Sequence, residues 1–583
     1  MLLENLKFIA QQNIELYNKL KELPQEQNGI EVLKTKDENY TIKVDGKLLH
    51  SLYKPKIEAE KIIKKIELKN KKIILVFGFG FGYYVEEISK EVSDDVDIFI
   101  FQEDLQILKE ALKNRDFTEI FKKRNIYIFT PNQKYRILEK LEKHFKVGLV
   151  PEYEIVKHKI EYERDKIKYN KIYEYIRNML STHLVNSATI FEFSKLWQKN
   201  RFYNLKHFAN SIGAEFFFEK FKNKPIIIVA AGPSLDKNIK YLHWVKNKAI
   251  IIAVGTVLKK LEKEKIIPDL IVSLDAGEAN WEHFRRVKYE KIPILYELMI
   301  NTKILDHHIG EKIVFASTDI ISAWGEEILG KKGFIKSGGT VALTGYDFAV
   351  KMGGNPIILM GQDLAYSGGK THASSTVYEK DEITSGYNFE IEDIYGGKVI
   401  SDIKFKTFKE FFERFILKDK KENEELIVFD CTEGGAKIKG TEVREIKDVY
   451  FNYIENSEVD FDKLLKSNSK NKVNKIQELE KEKMMLKSDL EKLAKILEKA
   501  IKETENIIKN KKDLKKLERI EAQIKKEIVT SKFINNISQP IIAKVMKESQ
   551  KSQDLKSLLE INLKLYKGLK DNIKFNLECL EAK

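Results

Sequence analysis

Pro225-Ile-Ile-Ile-Val-Ala-Ala231-Gly-Pro-Ser-Leu235 decides the fold of this chain. Its first half is short, β-branched and apolar without alternation, which describes a strand buried on both faces. Its second half breaks that run with glycine and proline, and a helical pattern follows. Buried strand, tight turn and helix form the repeating unit of a doubly wound parallel sheet. Working outward, the same kind of run recurs at Ala249-Ile-Ile-Ile-Ala-Val254, Asp269-Leu-Ile-Val-Ser-Leu274, Ile292-Pro-Ile-Leu-Tyr296, Lys312-Ile-Val-Phe-Ala316 and Pro356-Ile-Ile-Leu-Met360. Ligands of such sheets sit beyond the carboxyl ends of the strands, so the residues just after each run are the candidates for chemistry.

Upstream lies a smaller unit of the same rhythm. Lys72-Ile-Ile-Leu-Val-Phe77, Val96-Asp-Ile-Phe-Ile-Phe101 and Asn125-Ile-Tyr-Ile-Phe-Thr130 alternate with helical patterns, and from Glu154 to about Asn200 the pattern reads as helix. Downstream of about Val459, glycine and proline nearly vanish and strand patterns end. Leu486, Leu490, Leu493, Leu497, Ala500, Ile507 and Leu514 fall largely on a three–four spacing. That spacing predicts a long helix in a bundle or coiled coil, broken at Pro540. The chain is therefore read as α/β in three parts. Residues 1–200 form an N-terminal α/β domain with a helical linker, 201–455 a central doubly wound sheet domain, and 456–583 a C-terminal helical domain.

The 583 residues call for roughly two to four domains. With 43% hydrophobic and 33% charged residues, the composition suits a folded, soluble protein. The net charge of +14 is not spread evenly. Residues 461–583 hold 30 Lys plus Arg against 19 Asp plus Glu, leaving 73 against 70 in the first 460. Lysines interleaved with glutamates in one helical tail describe a solvated helix face rather than the basic stripe of a nucleic-acid binder. Cys431 and Cys579 are too far apart in sequence for a metal-ligand spacing, and they suit a reducing compartment. The first twenty residues read as an amphipathic helix, not a signal peptide, and no run of eighteen apolar residues occurs, so a cytoplasmic location is expected.

Four turns after strands carry polar groups. In Ala230-Ala-Gly-Pro-Ser-Leu235, Gly232 permits a tight turn and close approach of a ligand, and Pro233 suits the first helical position. The Ser234 hydroxyl stands beside helix N–H groups, which favour phosphate or carboxylate. An ordinary strand-to-helix turn reads the same way. Ser273-Leu-Asp275-Ala-Gly277-Glu278 sets two carboxylates at the same rim. Ser337-Gly338-Gly339-Thr340 precedes a helical pattern, and capping alone accounts for either segment equally well. Gly361-Gln362-Asp363-Leu-Ala-Tyr366-Ser-Gly-Gly-Lys370-Thr-His372-Ala concentrates an acid, a phenol, a lysine and an imidazole in one loop. His372 can accept a proton near neutral pH or stabilise a leaving phosphate, although a single loop histidine is more often inert. Four such clusters along one sheet predict a ligand site. In the first zone, Phe77-Gly78-Phe79-Gly80-Phe81-Gly82, with Glu103 about 20 residues beyond, resembles a dinucleotide or S-adenosylmethionine loop, though its phenylalanines equally suit packing.

Together, AAGPSL at 230–235, SLDAGE at 273–278, GQDLAYSGGKTHA at 361–373 and TEGGAKIKGT at 432–441 resemble the motility-associated-factor (Maf) glycosyltransferases. His50-Ser-Leu-Tyr-Lys-Pro55-Lys-Ile-Glu58-Ala59 and the GFGFGYY loop look like that family's N-terminal domain, so the resemblance spans residues 49–449. It implies a bacterial enzyme that transfers pseudaminic or legionaminic acid from a CMP donor to Ser or Thr of flagellin. The family's central Rossmann-like domain is similar to bacterial sialyltransferases whose nucleotide loop reads GNGPSL. Here Ala230 and Ala231 replace the Gly-Asn pair, and His372 falls where a tyrosine contacts the leaving phosphate. On this resemblance Gly232, Pro233, Ser234, Leu235, Ser337, Gly338, Gly339, Thr340, Gly361 and Gln362 belong to the nucleotide. Lys370 and Tyr366 belong to the phosphate, and His372 to proton or phosphate work. Asp275, Glu297 and Asp363 are secondary catalytic candidates, although Asp363 equally suits holding its loop through backbone hydrogen bonds. No cofactor is required, and a divalent metal at Asp275 is not expected. The implied partners are flagellin and the CMP-activated sugar, with no nucleic acid and no membrane span. Two rival readings share these motifs. Archaeal pyrophosphokinases of the hydroxymethylpterin pathway are similar at AAGPSL and SLD and would use ATP with magnesium at Asp275. A non-catalytic flagellin-binding chaperone could also keep a degenerate nucleotide fold.

Overall fold

Every apolar run named above forms a strand. The computed structural model describes residues 2–24, 29–123, 125–144, 152–377, 388–468, 475–510, 514–549 and 554–581. They fall into two compact units, residues 1–194 and 195–583.

The first unit opens on two helices, Leu2–Gln12 and Ile14–Glu22. The sequence pattern suggests one continuous helix, but Asn13 interrupts it. Its side chain accepts from Leu16 N and donates to the Ile128 carbonyl at 3.0 Å. An antiparallel sheet follows, made of β1 (Ile30–Lys34), β2 (Tyr40–Val44) and β3 (Lys47–Leu48). Then comes a parallel sheet of β4 (Ile73–Phe77), β5 (Asp97–Phe101), β6 (Asn125–Phe129) and β7 (Tyr153–Lys157), in the order β6-β5-β4-β7. β7 corrects the reading of continuous helix from Glu154. It is a short edge strand pairing with β4 alone, and Glu154 and Lys157 hide it in the sequence. The helical stretch begins only at Lys159–Arg164 and continues as Lys166–Asn210.

The second unit is built on a nine-stranded sheet, parallel throughout. Its strands are β8 (Ile212–Gly213), β9 (Ile226–Val229), β10 (Ile250–Val254), β11 (Leu270–Ser273), β12 (Ile294–Tyr296), β13 (Lys312–Val314) and β14 (Ile357–Met360), then β17 (Val428–Asp430) and β18 (Glu442–Val443). They lie in the order β18-β17-β14-β9-β10-β11-β12-β13-β8. Every residue of β9, β10, β11 and β14 is buried, which is why each reads as an unbroken apolar run. A hairpin of β15 (Phe389–Glu392) and β16 (Lys398–Ser401) and the helix Ile403–Glu422 are inserted between β14 and β17.

Helices Phe461–Asn468, Ile476–Asn510, Lys515–Thr530, Lys532–Ser549 and Leu555–Glu581 complete the chain within the same compact unit as the sheet. Leu486, Leu490, Leu493, Leu497, Ala500 and Ile507 are buried along the second of them, as their spacing requires. Leu514 instead precedes the next helix. Position 540 lies inside Lys532–Ser549, so the helix continues where a break was expected, and it packs against Leu555–Glu581. Interior proline costs about 3 kcal/mol or more, which tertiary packing can offset. Several tail lysines are answered by acids of neighbouring helices, including Lys492–Glu527 at 2.8 Å and Lys570–Glu498 at 2.9 Å. Among the described residues no helix is long and apolar enough to cross a membrane.

Candidate active site at the carboxyl edge of the central sheet

β9 has β14 on one side and β10 on the other, so chain order reverses there, and such a reversal opens a crevice suited to ligands. Two turns meet in it. Gly232 N donates to the Gly361 carbonyl at 2.8 Å. The Ser234 hydroxyl donates to Asp363 Oδ2 at 2.6 Å, and Ser234 N to Oδ1 at 3.2 Å. A Cβ on Gly232 would lie 2.0 Å from Asp363 Oδ2, and one on Gly361, at φ +65°, would lie 2.4 Å from the Ala230 carbonyl oxygen. These contacts correct the reading of the motif. Gly232 admits the Asp363 loop rather than a ligand, and Ser234, 2% exposed, commits its hydroxyl to that loop. The following helix, Leu235–Asn238, has only four residues, so Pro233 precedes it rather than opening it, and Leu235 is core.

The loop after β17 clamps the same junction from behind. Ala436 N donates to the Asp363 carbonyl at 2.7 Å, and a Cβ on Gly435, at φ +82°, would lie 2.3 Å from that oxygen. Gln362 is buried, and its Oε1 accepts no hydrogen bond among the described residues. Burial raises the Asp363 pKa against the lowering effect of the Ser234 bond. Burial likewise pushes Asp430, at the end of β17, to about 6; its bonds with Thr432 oppose this, and the Asp363 charge adds to it.

The His372 loop is fastened beside this junction. Ala373 N donates to the Ala231 carbonyl at 2.8 Å, and Ser374 N to Asp236 Oδ2 at 3.1 Å. His372 is half-buried. Its charge is felt at His283, on the helix Glu278–Phe284 after β11, whose pKa is held to about 4 by burial first and by His372 second. Lys370 is exposed and makes no ion pair among the described residues. Tyr366 is not free for phosphate: it is 6% exposed, and its hydroxyl donates to Asp402 Oδ2 at 2.6 Å.

Asp275 follows β11, and Ser337 and Thr340 lead into the helix Val341–Lys351. Water reaches Asp275, yet surrounding protein raises its pKa, while the Lys404 ammonium lowers it. Ser337 is exposed, and Thr340 precedes the helix Val341–Lys351 without a side-chain cap. Glu297 is set apart: 3% exposed, it pairs with Arg201 Nε at 3.2 Å and accepts from Ser317 Oγ at 2.8 Å and Met299 N at 2.9 Å. His283 and Lys404 escaped the sequence reading, because His283 lies within a helix and Lys404 among the lysines of the helix Ile403–Glu422. A cavity of about 310 Å³ bounded by Asn223, Lys224, Phe451 and Tyr453 lies at the opposite edge of the sheet and holds none of these groups.

The Gly78–Gly82 loop of the first unit is already filled. Gly80 N donates to Glu161 Oε1 at 2.5 Å, Phe79 N to Gln102 Oε1 at 2.6 Å and Phe81 N to His50 Nε2 at 3.0 Å. Phe79 and Phe81 are fully buried. Burial raises Glu161 to about 7 against its bonds to Gln102 and Gly80. The donors a phosphate would use are therefore taken by side chains of the same unit.

The family described as 6-hydroxymethylpterin diphosphokinase MptE-like matches residues 199–369. An uncharacterized protein of Treponema pallidum (strain Nichols) is 20% identical over 248 residues, so the match takes 42% of this chain and spans 42% of that protein. The structure of the MAf glycosyltransferase from Magnetospirillum magneticum AMB-1 matches 99% of this chain and 94% of its own, with a TM-score of 0.54 at 12% identity. From the N-terminal α/β unit through the parallel sheet to the last helices, the chain has the fold of a Maf glycosyltransferase.

Proposed function

We propose that the protein is a glycosyltransferase that moves pseudaminic or legionaminic acid from a CMP donor to Ser or Thr of flagellin. The observation that supports this best is the reversal of chain order at β9, where the His372 loop is fastened to the turn after that strand and Asp275 follows β11 in the same sheet. In such a reaction CMP departs through an oxocarbenium-like transition state while the acceptor hydroxyl attacks. Donors aimed at the departing phosphate and a group that takes the hydroxyl proton lower the barrier. Ser234, Gly232 and Tyr366 shape the site through protein contacts, so nucleotide contact passes to Ser337, Gly338, Gly339 and Thr340 with Lys370. His372 takes the proton or supports the phosphate. The helices after residue 461 hold the acceptor. Intact-mass measurement of flagellin co-expressed with this protein and a CMP-nonulosonate pathway tests the reading. Flagellin should gain the mass of one or more nonulosonic residues, and unmodified flagellin would count against transfer.

The MptE-like match favours a second reading for the central part, ATP-dependent pyrophosphoryl transfer to a pterin with magnesium at Asp275. Ligand binding to the folded state raises the melting temperature. A rise with CMP or CDP supports the glycosyltransferase, and a rise with Mg-ATP alone supports the kinase.

A further inference from the structure

Residues 388–422, the inserted hairpin and helix, contain no motif that draws attention in the sequence, yet they border the crevice. Tyr366 fixes where the helix begins, because its hydroxyl donates to Asp402 Oδ2 at 2.6 Å while Asp402 Oδ1 accepts from Phe405 N at 2.7 Å. The helix then passes the turn at 338–339. A Cβ on Gly339 would lie 3.3 Å from Phe408 Cε1, and one on Gly338 would lie 3.5 Å from Phe415 Cζ. Lys404, on the first turn, places its ammonium 5.8 Å from the Phe408 ring centre. It is exposed and makes no ion pair among the described residues, and neither does Asp275, although the Lys404 charge reaches it. Phe408 thus stands between Lys404 and the 338–339 turn, so the first turn of the pinned helix carries its cation beside that turn. The helix start that carries Lys404 is pinned at Asp402, and the Asp275 backbone is held through its carbonyl, which accepts from Asn280 Nδ2 at 2.7 Å and Asn301 N at 3.1 Å.

From this placement we infer that Lys404 takes the anionic group of the donor, either the nucleotide phosphate or the carboxylate of the nonulosonic acid. An ammonium serves either as a point charge. The inference rests on the reading that the crevice holds a CMP-activated acidic sugar.

The test uses the full chain as wild type, Lys404→Ala and Lys404→Arg, with calorimetric titration of four probes. CMP-legionaminic and CMP-pseudaminic acid carry both anionic groups, CMP carries the phosphate alone, and cytidine carries neither. Lys404→Ala should weaken the preferred sugar donor about tenfold or more, Lys404→Arg should keep most of the affinity, and cytidine should not distinguish the three proteins. A loss shared by CMP assigns Lys404 to the phosphate, and a loss confined to the sugar donor assigns it to the carboxylate. Equal donor affinity in wild type and Lys404→Ala overturns the role of Lys404 and leaves the functional reading standing. Wild type that binds none of the four probes overturns that reading and this inference together.

Discussion

The hydroxyl of Ser234 lies 2.6 Å from Oδ2 of Asp363, joining the turn after β9 to the loop after β14 where chain order reverses. Both groups are buried, so the bond acts on the folding free energy. Ser234→Ala leaves a buried acceptor short of a donor and should lower the unfolding free energy by about 1–3 kcal/mol, read by urea denaturation. Unchanged stability together with lost nucleotide binding would show that the hydroxyl faces a ligand instead.

Two glycines near the site should respond oppositely to alanine. At Gly232 the new Cβ would meet Asp363 Oδ2 at 2.0 Å and the Gly361 carbonyl at 2.5 Å, whereas at Gly277, beside Asp275, it would meet nothing within 4 Å. Gly232→Ala should therefore lower the melting temperature with no nucleotide present, while Gly277→Ala should stay within about 0.5 kcal/mol of wild type. Comparable melting of all three proteins would remove the packing explanation for Gly232.

Asp430 gives the central unit a pH dependence of defined sign. Its carboxyl holds its proton up to about pH 6 in the fold, against an ordinary aspartate value of 3.8. Between about pH 4 and 6 the unfolded chain has released a proton that the folded chain retains, so stability falls as pH rises through that window. Asp430→Asn cannot ionise, and its Oδ1 can still accept from Thr432 N. It should gain about 2 kcal/mol relative to wild type between pH 4 and pH 7. Asp363 contributes a slope of the same sign that the variant keeps, so the difference between the two denaturation series is the measurement. Parallel series would mean that Asp430 titrates alike in both states.

His372→Ala should fold, because its neighbour Ala373 retains the backbone bond to Ala231. If the imidazole moves the acceptor proton, transfer should fall by about two orders of magnitude or more while CMP still binds. Tyrosine at this position can donate to a phosphate but is a poor base near neutral pH. Activity in His372→Tyr with none in His372→Ala assigns the residue to the leaving group. Loss in both, with CMP binding intact, assigns it to the proton. Full activity in His372→Ala removes both roles.

The sheet was legible where burial is complete. β9 to β11 and β14 have both faces covered, and that alone produces apolar runs bounded by turns. β8 and β18 are two residues long, too short for any period to register, and β7 is an edge strand interrupted by Glu154 and closed by Lys157. The site was legible as positions, because polar residues after parallel strands meet at one rim. Their partners were not. In sequence, an aspartate in a glycine-rich loop looks the same whether it turns out to solvent or, like Asp363, inward to Ser234. Lys404 sits among Lys406 and Lys409 on a lysine-rich helix, and only tertiary packing separates it from them.

Each unit contains a glycine-rich turn after a strand that presents backbone N–H to a carboxylate of the same unit, Gly80 to Glu161 and Ser234 to Asp363. A carboxylate tethered by the chain behaves as a competitor that never diffuses away, with an effective concentration of about millimolar or more. Free phosphate or nucleotide would have to outcompete it at the turn itself while leaving a buried acid unpaired. The glycine signature thus records an acceptor that the polypeptide supplies from its own sequence. Replacing the tethered acid, rather than adding more ligand, is what would vacate either turn.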